Sequence, residues 1–155
     1  MVSFLANPGF LGTHAPFHSD LSLVVILLSA VMFTLGVILA IRKQYGAHRW
    51  VQTAAAGLNM LAVAIVMIGS FVTYILPGIP SKLLAGSYGV TTAHAIVGLF
   101  GMLFGIFVVL RANGLVPAAL RFRNYKLFMR LAYGLYMLAT ALGVVVYVTV
   151  YVYGI

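Results

Sequence analysis

Apart from lysine and arginine, five side chains could hold a metal or move a proton near neutral pH: His14, His18, Asp20, His48 and His94. Asp20 is the only acidic residue, and there is no cysteine. His14 and His18 form a His-x-x-x-His pair two residues before Asp20, in the stretch LGTHAPFHSD. Imidazole and carboxylate suit copper, zinc or iron, and histidine also holds haem. On a helix His14 and His18 would share a face, but Pro16 between them opposes a regular helix. A loop could instead fold back and bring both to His94. A second reading needs no metal. Ser19 or Asp20 is a good N-cap for the apolar helix that follows, and an acid there suits the positive end of the helix dipole.

His94 lies inside an apolar run, about 9 Å below its outer boundary at 1.5 Å per residue. An imidazole at that depth needs a partner. Gly98 follows one turn later on the same face, so His94 and Gly98 could admit a flat ring such as haem b or a pigment. The plainer alternative is a hydrogen bond to a facing carbonyl or hydroxyl. His48 reads as a loop histidine at headgroup level, followed by Arg49 and Trp50. It lies near the opposite membrane face from His94, so the two cannot ligate one haem across a core of roughly 30 Å. Asn59, near mid-membrane, reads as interhelical glue.

These residues must be positioned by elements that suit lipid. Of 155 residues, 64% are hydrophobic and 6% charged, against about 25% charged in soluble domains. A soluble fold could not cover so much apolar surface. Four apolar runs, at about 21–41, 50–76, 88–110 and 127–153, each exceed the ~20 residues needed to cross a bilayer. Strand alternation is absent, so the expected fold is all-α: one four-helix transmembrane bundle behind a short outer segment, residues 1–20. No basic residue precedes the first run, so the N-terminus does not read as a cleaved signal peptide. Val116 to Phe122 is expected to form a short interfacial turn.

Charge orients the bundle. Arg42, Lys43 and Arg49 lie between runs one and two, and Arg111, Arg121, Arg123, Lys126 and Arg130 lie in or beside the connection between runs three and four. Only Lys82 lies between runs two and three. The basic side is expected to face the cytoplasm, with both termini outside. The net charge of +8 then faces anionic lipid headgroups rather than nucleic acid. Trp50, Tyr45, Tyr88, Tyr151 and Tyr153 sit near run ends, as interfacial rings do. Gly98, Gly101, Gly105, Ala139 and Gly143 predict close helix packing. One acid cannot form a carboxylate proton relay. No nucleophile–base pair stands out, and neither inverted repeats nor broken helices suggest a transporter.

The stretches GFLGTHAPFHSDLSLV, YGAHRWVQ, TTAHAIVG and NYKLFMRLAYGLYMLATALGVVVYVTVYV resemble a small four-helix bacterial membrane family, domain of unknown function 420, over roughly residues 9–150. The resemblance maps that family's histidine before the second span onto His48 and its third-span histidine onto His94. Where the family often has a histidine before the last span, this chain has Asn124 and Tyr125. The resemblance implies a role beside haem–copper oxidase or haem synthesis, and the family label gives no catalytic activity to inherit. The expectation is a non-catalytic subunit or assembly factor of a respiratory or photosynthetic electron-transfer complex, in the bacterial cytoplasmic membrane. The alternative is a haem- or copper-binding redox protein using His94 with His14 or His18.

Overall fold

The computed structural model describes residues 7–121 and 123–154. The first six residues, Phe122 at the end of the expected interfacial turn, and Ile155 lie outside the described residues. Four helices are long and apolar enough to span a bilayer: α1 (Phe17–Ile41), α2 (Tyr45–Gly78), α3 (Tyr88–Ala112) and α4 (Tyr125–Val152). The described residues form an all-α, four-span membrane protein whose spans match the apolar runs to within a few residues.

Each boundary has a local cause. Pro16 precedes α1 with φ −72° and no amide hydrogen to satisfy. The chain therefore turns helical four residues before the apolar run at Leu21. A three-residue link with Lys43 at φ 61° lets α2 begin at Tyr45, so His48 belongs to a helix rather than to a loop. α2 widens into π-helical turns at Val63–Met67 and Phe71–Ile75, then ends in a 3₁₀ turn containing Pro77. Gly114 at φ 78° ends α3 in the left-handed conformation that glycine adopts freely. Asn124 caps α4, its side chain accepting from the Leu127 amide at 3.2 Å. Ala118–Leu120 forms the expected short turn between them.

The helices run up and down, as two antiparallel hairpins, α1–α2 and α3–α4, joined along both α1–α4 and α2–α3. The core is thin. Ile26, Ala30, Ala55, Val108 and Ala139 are buried, while many leucines and isoleucines point outward. A membrane protein can expose them because its solvent is apolar.

Of the glycines expected to pack, two do so. Gly101 receives the Cβ of Leu135 within 3.4 Å of where its own Cβ would stand, and at Gly143 a Cβ would lie 3.0 Å from His94 Cε1 and 3.2 Å from Ile26 Cδ1. Gly98 and Gly105 instead meet nothing within 4 Å. Asn59, expected to glue helices together, makes no side-chain hydrogen bond among the described residues.

Gly143→Leu should therefore destabilise the bundle by about 1–3 kcal/mol, the usual cost of overpacking. Gly98→Leu should cost nothing. Reversible unfolding of both variants in detergent micelles checks the difference.

Candidate functional site

Three polar arrangements stand out: a clasp around Asp20, a ridge of hydroxyls on α4, and two histidines anchored alike. In the clasp, residues 7–16 fold back on themselves. The Phe17 amide donates to Asn7 O at 2.7 Å and the Gly9 amide to Ala15 O at 2.9 Å. Asp20, one turn into α1, has no exposed surface. Its Oδ2 accepts from the amides of Phe10 (2.6 Å) and Leu11 (2.7 Å), and its Oδ1 from the Tyr147 hydroxyl (2.5 Å). A Cβ at Gly9 would fall against this carboxylate and the Ala15 carbonyl; only glycine fits there. Thr13 accepts from the Ala15 amide and donates to Tyr147 at 2.7 Å.

This corrects the expected cap. No side chain caps α1, whose N-cap residue is Pro16. Asp20 turns its carboxylate outward, to the amides of the preceding loop, instead of inward to its own helix. The loop in effect supplies Asp20 with an anion nest, the arrangement in which successive backbone amides converge on a negative group.

The ridge runs along α4. Tyr133, Tyr136, Thr140, Gly143, Tyr147 and Tyr151 recur at three- and four-residue spacing, so they share one face. That face meets α1. Tyr133 donates to Thr34 Oγ1 (3.1 Å), whose own hydrogen goes to Ala30 O. Tyr136 donates to the carbonyl of Ile26 (3.0 Å) and packs its ring against Phe33, centroids 4.4 Å apart. Tyr147 reaches Asp20, and Tyr151 shares a 2.9 Å bond with Ser19. Tyr151 is thus a clasp residue rather than a free interfacial ring. Sequence reasoning missed the ridge, although the 3–4 spacing of its tyrosines was visible.

His48 and His94 repeat one device. His48 Nδ1 donates to Gly36 O on α1 at 2.7 Å, and His94 Nδ1 donates to Ala139 O on α4 at 3.0 Å. A carbonyl only accepts, so in each neutral ring Nδ1 holds the proton and Nε2 keeps its lone pair. His48 is 8% exposed, so its ring is buried between helices rather than free in a loop. Gly36 is the contact point: Gln52, one turn beyond His48, lies across it and donates to Phe33 O at 3.2 Å.

The tail histidines do not join His94. The tail folds back over α4, not α3. The His14 amide bonds Tyr151 O, twelve residues from the Ala139 carbonyl that holds His94, or about 18 Å along the helix. Metal–nitrogen bonds are about 2 Å long. Among the described residues no three histidine, aspartate or glutamate side chains gather closely enough to hold a metal ion. The expected set of His14, His18, Asp20 and His94 is therefore not assembled within the chain, and Asp20 is already engaged by three donors.

Asp20→Asn replaces one acceptor oxygen with an NH₂ facing backbone donors. It should release the tail, raising amide exchange at Phe10 and Leu11 by at least about tenfold, the effect of losing roughly 1.4 kcal/mol of hydrogen bonding. Hydrogen–deuterium exchange in micelles reads this directly, and unchanged protection would contradict the clasp.

No protein-family profile, curated protein or solved structure matches this chain.

Proposed function

We propose that this protein is a non-catalytic integral subunit or assembly factor of a bacterial membrane electron-transfer complex, respiratory or photosynthetic. It acts by helix packing in the cytoplasmic membrane, with its basic end at the cytoplasmic surface and both termini outside. The observation that carries the packing role is the set of helical glycines Gly57, Gly69, Gly98 and Gly105, none with a neighbour within 4 Å of the Cβ position. Glycine in a helix interior costs about 1 kcal/mol relative to alanine. Among the described residues nothing packs against these four positions, whereas a partner helix approaching backbone to backbone would. The most apolar window of α2 has no fully buried residue, which leaves the outer side of that window for such a partner. Electron transfer as the setting rests on the resemblance to the domain of unknown function 420.

Solubilised from native membranes in a mild detergent, the protein should migrate with a larger haem- or copper-containing assembly. A Gly98→Leu, Gly105→Leu double variant should leave that assembly while unfolding like the parent. Migration of the parent as a free monomer would sink the proposal.

A second reading has its own observation. With Nδ1 held by Ala139 O, His94 presents an Nε2 lone pair in the orientation that second-shell bonds impose on haem and metal ligands. Open space over Gly98 lies one turn along. A haem b or copper ion there would take its other ligands from outside this chain, since His14 and His18 do not reach. A Soret band in the purified protein, lost in His94→Ala, is the expected result under this reading. A colourless, metal-free preparation would remove it.

A further inference from the structure

The basic end of the bundle carries eight cationic side chains, while the single acid, Asp20, is at the far end and consumed by the clasp. The arrangement there is more specific than a charged rim. Arg49 on α2 donates its Nε to Asn113 Oδ1 at the end of α3, at 2.9 Å. Asn113 in turn donates its Nδ2 to Thr53 Oγ1 (3.3 Å) and Val109 O (2.9 Å). Thr53 donates back to the carbonyl of Arg49 at 2.8 Å. The circuit closes, and each partner fixes which end of the Asn113 amide faces it.

This circuit holds a guanidinium by one edge only. Its Nε is satisfied by protein, while its two terminal NH₂ groups have no partner among the described residues. Arg49 is exposed, and its guanidinium lies over the Trp50 ring, 5.5 Å from the centroid. Trp50 is itself 67% exposed and Tyr45 64%, as amphipathic rings are at headgroup level. Arg121, also exposed, repeats the pattern of a bonded Nε, here to Val116 O at 3.1 Å. A guanidinium fixed in this way has lost part of its rotamer freedom before any ligand arrives, and its fork matches two oxygens of a phosphate.

We infer that Arg49, positioned by Asn113 and flanked by Trp50, is the phosphate-binding arm of a site for an anionic glycerophospholipid at the junction of α2 and α3. Phospholipid is the occupant because the arm stands at headgroup level beside helices that run directly into hydrocarbon, so acyl chains can follow the apolar faces while the phosphodiester meets the fork. A net negative headgroup is required because the eight cations of this end have no acid near them. The bound lipid would span the two helical hairpins where they are otherwise joined by the Arg49–Asn113 contact. This inference rests on the reading that the basic end meets lipid headgroups and adds the lipid class, the arm and its positioning residue.

The test uses the full chain in nanodiscs of phosphatidylcholine with or without phosphatidylglycerol, and native mass spectrometry of the retained lipid. The parent should retain phosphatidylglycerol in preference to phosphatidylcholine and unfold at higher temperature when it is present. Arg49→Gln keeps a donor for Asn113 but removes the cation. It should lower phosphatidylglycerol retention about fivefold, the factor one arginine contributes at an anionic surface, and unfold like the parent in pure phosphatidylcholine. Arg49→Lys, with charge but no fork, should fall between them. Lys82→Gln, at the opposite end, should match the parent. Equal retention by the parent and Arg49→Gln would overturn the site while leaving the headgroup reading intact. No preference for the anionic lipid even in the parent would overturn both.

Discussion

A hydroxyl carried into hydrocarbon must find its acceptor inside the protein, and this bundle is organised around that demand. Four tyrosines on one face of α4 each reach α1 or its lead-in loop. Their partners differ: a backbone carbonyl at Ile26, a threonine at Thr34, a carboxylate at Asp20, a serine at Ser19. Between Tyr133 and Tyr151 the ridge covers about 27 Å of helix, nearly a full hydrocarbon thickness. Leucines on that face could slide past one another at little cost, because lipid tails are as apolar as leucine. Directional bonds cannot slide, so the ridge sets the register of α1 against α4 and thereby of one hairpin against the other. Gly143 sits within the ridge, where its missing side chain makes room for His94 from α3 and Ile26 from α1. Three helices meet at that glycine.

The four spans were legible because lipid imposes a length and forbids exposed backbone, and an apolar run of the right length has few alternatives. The polar contacts were less legible, for reasons that differ by residue. A carboxylate in the first turn of a helix can serve its own amides or those of the preceding loop. The N-cap preference describes only the first choice. Asp20 takes the second because α1 begins at Phe17, behind a proline that needs no cap, and because Gly9 lets the loop close on the carboxylate. His48 looked like a loop residue because Gly46 and the run of polar residues from Arg42 obscure a helix start at Tyr45. The tyrosine ridge is hard to see because Tyr151, near a span end, reads as an interfacial ring, while Tyr133, Tyr136 and Tyr147 carry no signal one at a time. Read together with Thr140 and Gly143, their spacing describes one face.

His48 and His94 carry a common logic across the two hairpins. Each is a residue through which one helix of a hairpin hydrogen-bonds the other, and each gives its Nδ1 proton to a carbonyl beside a small residue. At His48 the small residue is Gly36 itself. At His94 it is Gly143, one turn beyond the accepting carbonyl of Ala139. An imidazole can do this in a membrane because the facing carbonyl satisfies its Nδ1 donor. The device also separates structure from chemistry within a single ring: Nδ1 belongs to the bundle, and Nε2 does not. A histidine used this way holds the hairpin together whether or not a ligand comes to its second nitrogen.

The same division applies to the molecule as a whole. At the end that holds the tail, the clasp turns its polar groups inward: the Asp20 carboxylate, the amides of Phe10 and Leu11, and the hydroxyls of Thr13, Ser19, Tyr147 and Tyr151. At the other end, cations outnumber acids eight to none, and the exposed Arg49 and Arg121 are each tied to protein through Nε. Along the sides, the open glycines of α2 and α3 offer backbone rather than side chain. Exposed charge therefore concentrates at the basic end, and open helical glycines lie on α2, α3 and, at Gly134, α4. The α1–α4 seam, where the directional bonds are spent within the chain, is left to hold the fold.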